Sequence, residues 1–532
     1  MTLLIRGGTI VDGSGGGSVT GDVYAEDGII LAAGPSASGP ADEIIDAAGR
    51  IVCPGFVDLH RHCDIAALGG DFGLIEISQG ISSCFAGNCG MSPVPSVPES
   101  RLALLNYLEP CLGSFAQESC HTHREYVKRL REVSLPVNVG FFAGMGAIRI
   151  AVKGFENTPF TQIEMERARS FLQESLDCGA FGMSIGLMYV PEAYCSAEEI
   201  ARLASVMKGG KGILCAHMRW ETGRLAHAVR EVIDIAKQAG VPLEISHFKA
   251  AGEKAWHGVL HEAIEIIEAE RAKGFDISVD FYPYDCGSST MMQMLPPAYL
   301  AMGPEEAIAG LARSGNVEKI RKLLAEGEKN WDNLSQTIGW DRTIINSVSL
   351  EENRKFTGKS VTACVREYGF RDEAEFAARL LYSENGRVSI INQSMSPEDI
   401  DTIARLPYSS LISDSLYGDM KNPHPRLYGA FPRFLRDFVH KRNVLDLSTA
   451  IRKMTAMPAY RAGLKDRGLL RPGYKADILI FDPDNFRDEA DYLHPAKLSS
   501  RLDYAIVNGK ITYRDGKLIC RDAGEIVGNR EE

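Results

Sequence analysis

No apolar stretch of this chain approaches the roughly 20 residues that a bilayer-spanning helix needs, so membrane helices are not expected. Basic residues are the minority: 58 Lys and Arg stand against 70 Asp and Glu, a net charge of -12, which argues against a nucleic-acid partner needing a concentrated basic face. Low-complexity tracts are missing, which excludes a long disordered or repetitive region. The 12 cysteines follow no regular spacing, and several (Cys84, Cys215, Cys286) sit in apolar settings. That pattern excludes a secreted disulfide scaffold and points to reduced thiols. The opening residues, Met1-Thr-Leu-Leu-Ile-Arg6-Gly-Gly-Thr-Ile-Val-Asp12, lack the basic start, apolar run and cleavage site of a secretory signal. They read as a strand and a turn, and the expected compartment is the cytoplasm.

What remains is an ordinary globular composition, 45% hydrophobic and 24% charged over 532 residues, enough for one large domain and a smaller one. The first fifty residues alternate short β-prone runs with Gly-rich turns, and so does the end of the chain. These ends either pair into one small β-sandwich or form separate hairpins. Between them strands and amphipathic helices alternate. Expected strands are Gly55–His60, Ser82–Ala86, Val137–Phe142, Gly182–Gly186, Gly212–His217, Pro242–His247, Asp276–Tyr282 and Ser409–Asp414. Expected helices are Thr161–Cys178, Ala197–Lys208, Arg224–Ala239, His257–Lys273 and Ser448–Leu464. Eight buried strands separated by helices predict a (β/α)8 TIM-type barrel with its site at the strands' C-terminal ends. Residues 55–467 are expected to form the barrel and 1–54 plus 468–532 the β-rich part, as a β-sandwich or as separate hairpins, with a mostly helical insertion at about 296–406, before the last strand.

Chemistry-bearing residues gather at those strand ends. His60 and His62 are two apart, share a face in a strand, and can address one ion. Arg61 and Cys63 then face the other way, and Asp64 shares the side of His62. Cys89, in Gly87-Asn88-Cys89-Gly90, becomes a ligand if a cation keeps it a thiolate; otherwise it is a buried cysteine in a turn. His217 and His247 each end an apolar run on neighbouring strands, with Lys249 facing the same mouth as His247. Asp414 ends the eighth strand, where a carboxylate opposite a metal can take and return a proton. A second pair, His121-x-His123, follows no strand and reads as structural, as do His227, His257, His261, His440 and His494.

Together these residues resemble the N-acyl-D-amino-acid deacylases (D-aminoacylases) of the amidohydrolase superfamily. The likeness is carried by Pro54-Gly55-Phe56-Val57-Asp58 with His60-x-His62, by Ser78-Gln79-Gly80, by the Cys89 turn and by Ser184-x-Gly186-Leu187-x-Tyr189-x-Pro191. It continues through Ser246-His247-x-Lys249, Tyr282-Pro283-Tyr284, Ser288-Ser289-Thr290, Ser413-Asp414 and the run from His424 to Arg433. The resemblance implies the joint sandwich, a tightly held zinc on Cys89, His217 and His247, and a weaker second site at His60 and His62 near catalytic Asp414. It also implies a substrate pocket lined by Tyr189, Lys249, Tyr282, Ser289 and Arg426. Arg61 departs from the small residue usual between the histidines and is expected to affect packing, not ligation.

The implied activity is zinc-dependent hydrolysis of N-acyl-D-amino acids to a carboxylate and a free D-amino acid. Arg426 would grip the substrate α-carboxylate, assisted by Lys249 or the Tyr282 hydroxyl. Ser289-Thr-Met-Met-Gln-Met-Leu-Pro296 carries three methionines and no basic residue, which favours neutral or apolar side chains over the alternative of an acidic-substrate specialist. A cyclic-amide hydrolase of the hydantoinase or dihydropyrimidinase kind is less favoured, because Gly182-Met-Ser-Ile-Gly186 lacks the bridging lysine. A non-catalytic scaffold is disfavoured because every ligand position is filled. Oligomeric state is not legible.

Overall fold

The computed structural model describes residues 1–115, 120–328, 331–418 and 422–529. Residues 329–330, in the expected insertion, and 530–532, in the expected terminal unit, lie outside them. Among the described residues, eight parallel strands close into a barrel. They are Phe56–Asp58, Ile81–Ala86, Asn138–Phe141, Gly182–Gly186, Ile213–His217, Leu243–Ile245, Ile277–Phe281 and Ser409–Leu411. Phe181 N donates to Phe141 O at 2.9 Å and joins the third strand to the fourth. The seam between the eighth and first strands is made by Asp414 N donating to His60 O (2.9 Å) and His62 N to Ser415 O (3.0 Å). Nearly every strand residue is buried, as expected where helices cover one face and barrel side chains the other.

Three of the strands are shorter than their apolar runs. The first, sixth and eighth stop at Asp58, Ile245 and Leu411, so His60, His247 and Asp414 stand just beyond the ladder. His247 (φ 36°) and Asp414 (φ 49°) adopt left-handed backbone there, which ends a regular strand. The outer helices form where the 3.6 period placed them: Gln162–Asp177, Ala197–Ala204, Leu225–Ala239 and Gly258–Ala272. Thr161 and Ser196 cap the first two, accepting from the N–H of Glu164 and Glu199. The last helix is split at Thr455 into Leu447–Met454 and Ala456–Ala462, because Pro458 has no N–H to continue the ladder.

The insertion is not purely helical. Strands Cys286–Thr290, Thr343–Ser347 and Ser389–Gln393 form a separate antiparallel sheet, with Ser389–Gln393 in the centre. Helices Pro304–Gly310, Ser314–Glu326, Val361–Tyr368 and Glu373–Ser383 accompany it around a core that includes Met291, Tyr299, Phe376 and Ile390. At its end, Pro397–Arg405 packs on the eighth barrel strand in the manner of an ordinary barrel helix. The two ends of the chain share one nine-stranded sheet, in which Ile51–Pro54 lies between Thr2–Ile10 and Ile478–Phe481. A bridge from Ile29 to Lys475 folds this sheet back over a core of Leu3, Ile5, Val23, Ile478 and Ile506. No helix among the described residues is long and apolar enough to cross a membrane.

Candidate metal centre and active site

His60, His62, Cys89, His217, His247 and Asp414 meet, all buried, at the C-terminal mouth of the barrel. They form two donor sets that share one sulfur: His60, His62, Cys89 and Asp414, and Cys89, His217 and His247, with the donor atoms of each set within 4.8 Å of one another. Cys89 Sγ lies 3.3 Å from His60 Nε2 and 3.5 Å from His247 Nε2. Asp414 Oδ1 lies 3.5 Å from His60 Nε2 and 3.4 Å from His62 Nε2.

Cys89 is held rigidly. Its backbone is left-handed (φ 52°), an uncommon state for a non-glycine residue that the surrounding turn has to impose. Ser184 Oγ, on the fourth strand, accepts from Gly90 N at 2.9 Å and itself donates to Gly87 O. A Cβ at Gly186 would sit 2.3 Å from Cys89 O, and one at Gly90 would overlap the Glu192 carboxylate. The Ser184-x-Gly186 pair therefore exists to let the Cys89 turn settle on the fourth strand.

The donor set fits a soft divalent ion. His217 Nε2 is buried without a hydrogen-bond partner among the described atoms, so an aimed lone pair is left for a cation. Burial, then the adjacent His247, pushes the His217 imidazolium well down, and burial with Lys249 does the same to His247. Both rings are thus neutral, as ligation requires. Burial and the nearby Asp414 and Asp280 carboxylates push the Cys89 thiol well up. A cation between these groups reverses that preference and makes the thiolate the stable form.

Sequence reasoning missed Glu221 and Asp280, which orient two of the candidate donors. His247 Nδ1 faces Glu221 Oε1 at 3.0 Å, and His60 Nδ1 faces Asp280 Oδ2 at 3.5 Å, an arrangement that would leave each Nε2 for an ion. Tyr189 Oη lies 3.4 Å from His217 Nδ1. Asp280 carried a legible signal, a carboxylate interrupting Ile277–Phe281; Glu221, four residues past His217, carried none.

The remaining residues singled out in the sequence divide. Tyr189, Lys249, Tyr282, Ser289 and Arg426 line a cavity of about 70 Å³ over the ligands. Arg426 is engaged, its Nη1 lying 2.9 Å from Asp414 Oδ2 and its guanidinium 4.8 Å from the centre of the Tyr282 ring. Lys249 Nζ reaches Glu221 Oε1 at 2.7 Å, and this partner outweighs burial to raise its pKa and keep it charged. Burial opposes the charge on Asp414, yet the Arg426 guanidinium, helped by a hydrogen bond from His62, holds its carboxyl well below the usual range. Arg61 points away from the ligands into a buried network with Glu76 (2.8 Å), Asp58 (3.3 Å) and Tyr417 Oη (2.6 Å). His123 lies against Ser175 and Phe141, far from the donor sets.

Buried imidazole, thiol and carboxylate groups at the mouth of a closed parallel barrel define a metal-dependent hydrolase, and a model of the amidohydrolase family matches residues 373–513. N-acyl-D-aspartate deacylase of Alcaligenes xylosoxydans xylosoxydans is 32% identical over 526 residues, covering 98% of this chain and 94% of that protein. The same organism's D-aminoacylase is 29% identical over 527 residues, covering 99% and 97%. A crystal structure of N-acyl-D-glutamate deacylase from Bordetella bronchiseptica, complexed with zinc and a phosphonate inhibitor, superposes with a TM-score of 0.82 at 28% identity over 99% of each chain. The chain belongs to the N-acyl-D-amino-acid deacylase family of the amidohydrolase superfamily.

Proposed function

We propose that this hydrolase cleaves N-acyl-D-amino acids with neutral or apolar side chains to a carboxylate and a free D-amino acid. The observation that carries the reading is the Asp414 carboxylate, set between the His60/His62 pair and Arg426 beside the shared Cys89 sulfur. Relatives of this chain are named N-acyl-D-aspartate deacylase, N-acyl-D-glutamate deacylase and D-aminoacylase. A zinc ion held by Cys89, His217 and His247, with His60 and His62 offering a second position, would activate water and polarise the amide carbonyl. The chain's own groups supply the rest. Asp414 takes the proton of the attacking water as the C–O bond forms and returns it to nitrogen as the C–N bond breaks. Arg426 contacts Asp414 directly and can also hold the substrate α-carboxylate, with Lys249 and Tyr282 beside it. A fixed carboxylate and a fixed carbonyl leave one direction for the side chain, and so select D over L.

Replacing Arg426 by glutamine is expected to raise KM and to cost about 2–4 kcal/mol in kcat/KM, the scale of breaking a buried charged contact. It also removes the main group that depresses the Asp414 pKa. Asp414 works as a base only when ionised, so its activity in the variant is lost at higher pH as the medium is acidified. The acid limb of the kcat/KM profile should move upward; an unmoved limb would show that Arg426 does not tune Asp414.

The side-chain preference rests on the cavity wall, where Ala251, Leu334 and Ile338 are apolar. Its two cations, Lys249 and Arg426, already face Glu221 and Asp414. A second substrate carboxylate would be buried there without its own cation. N-acetyl-D-leucine and N-acetyl-D-methionine should be turned over at least about tenfold more efficiently than N-acetyl-D-glutamate. A preference for glutamate or aspartate would instead assign the acidic specificity named for two of the relatives. Among the described residues no disulfide joins two cysteines, and Cys63 and Cys84 lie 3.7 Å apart unbonded, which supports a reducing compartment such as the cytoplasm.

A further inference from the structure

A second chamber, of about 140 Å³, adjoins the metal-site cavity. Met91, Cys111, Met188, Tyr189, Ser289 and Gln293 line both spaces, so the partition is one side chain thick. Part of it is the Gln293 amide resting on Met188 Sδ at 3.4 Å. Both side chains are unbranched and can rotate aside with little cost. Beyond them the wall is mostly apolar, with Tyr107, Phe155, Val190, Met292, Leu300 and Ile308. The outer rim is closed by two polar contacts between helix Arg101–Leu112 and the insertion: Glu109 with Arg387 (3.1 Å) and Asn106 with Glu305 (2.6 Å). Nothing in the hydrolytic scheme uses this space.

Its position in the barrel says what enters it. The chamber's barrel-side walls follow the second strand (Met91, Tyr107, Cys111) and the fourth (Met188, Tyr189, Val190). The groups that can hold the α-carboxylate follow the sixth, seventh and eighth: Lys249, Tyr282 and Arg426. In a closed eight-stranded ring these two arcs face each other across the ligands. A scissile carbonyl stands between the acyl chain and the amino-acid half of its substrate. With the carboxylate held over strands six to eight, the acyl chain must run toward strands two to four.

We propose that this chamber is an acyl-chain subsite, and that the enzyme's preferred substrates carry unbranched medium-chain acyl groups such as hexanoyl or octanoyl in place of acetyl. The inference rests on the deacylase reading above and specifies the other half of the same substrate. Hydrolysis is unchanged: water's oxygen bonds to the acyl carbon, the C–N bond breaks, and the proton passes to the amine, releasing a medium-chain fatty acid. Each methylene moved from water onto an apolar wall favours binding by roughly fourfold.

The test is a series of N-acetyl-, N-butanoyl-, N-hexanoyl- and N-octanoyl-D-leucine assayed with the metal-loaded enzyme and with Leu300→Trp and Ile308→Trp. Both substituted residues line the chamber and neither lines the metal-site cavity. In the unaltered enzyme kcat/KM should rise about tenfold or more from acetyl to hexanoyl. Each tryptophan should lower hexanoyl and octanoyl turnover by about tenfold while leaving acetyl within about twofold. Rates that fall steadily from acetyl upward would overturn the proposal, and so would equal losses at every acyl length in both variants. If the plugs alter the ranking of N-acetyl-D-alanine against N-acetyl-D-leucine but not the chain-length profile, the chamber takes the amino-acid side chain and the proposal is wrong. Failure to hydrolyse any member, acetyl included, would instead remove the deacylase reading itself.

Discussion

Replacing Cys89 by alanine is expected to empty the site of metal and abolish turnover while the barrel stays folded. Cys89 is the one donor common to both ligand sets, so its loss leaves the His217–His247 side with two imidazoles and separates it from the His60–His62 side. Loss of a partner that merely orients a ligand costs about 10- to 100-fold in metal affinity, so loss of the shared thiolate should cost at least about a hundredfold. Turnover should fall by about a thousandfold or more, since the principal electrostatic stabiliser of the reaction goes with the ion. The fold is not at stake. The turn is held by Ser184 and by its packing on Gly186, not by the sulfur. Metal analysis of the purified variant, circular dichroism and kcat/KM on an N-acyl-D-leucine check each element. His62→Ala is the contrast, because it touches only one set and should spare metal bound by Cys89, His217 and His247. A Cys89→Ala protein with full metal content and full activity would sink the assignment of these residues.

That such a site can be read from a sequence has a physical reason. Barrel strands are covered on both faces, so they appear as unbroken apolar runs, and a histidine closing one stands out. His217, in register with Gly186 of the fourth strand, is the clear case. The pleat argument puts His60 and His62 on one side, and the structure brings both into one donor set, although they stand just beyond the regular strand and are aligned by the bridge between Arg61 and Ser415. What stayed hidden depends on separation along the chain. Cys286–Thr290 is absent from the expected strands because its residues are mostly small and polar, and its partner Ser389–Gln393 lies about a hundred residues on. Glu221 orients His247 from another loop, a contact no spacing rule encodes. The pairing of Arg426 with Asp414 was likewise invisible, because their relation depends on the path of the intervening loop.

Converting Asp414 to asparagine is expected to lower kcat by about 10²- to 10⁴-fold, the contribution of a positioned general acid–base group. KM should change little and metal on Cys89, His217 and His247 should remain, because Asp414 belongs only to the other donor set. The pH dependence follows from the direction of the shift. The carboxyl is held well below its usual range, chiefly by Arg426 acting against burial. It is therefore an ionised base through neutral and mildly acidic pH, and its activity disappears as pH falls through that depressed value. Asparagine cannot titrate, so the residual rate of the variant should lose the part of the acid limb that belongs to this group. The second duty of Asp414, protonating the departing nitrogen, predicts a difference between leaving groups. An amide needs that proton to break the C–N bond, whereas an ester analogue in which oxygen replaces the amide nitrogen departs as a much weaker base. The Asp414→Asn loss should accordingly be smaller on the ester than on the amide, whereas equal losses would restrict Asp414 to activating water. An asparagine variant with unaltered kcat on the amide would remove it from the chemistry.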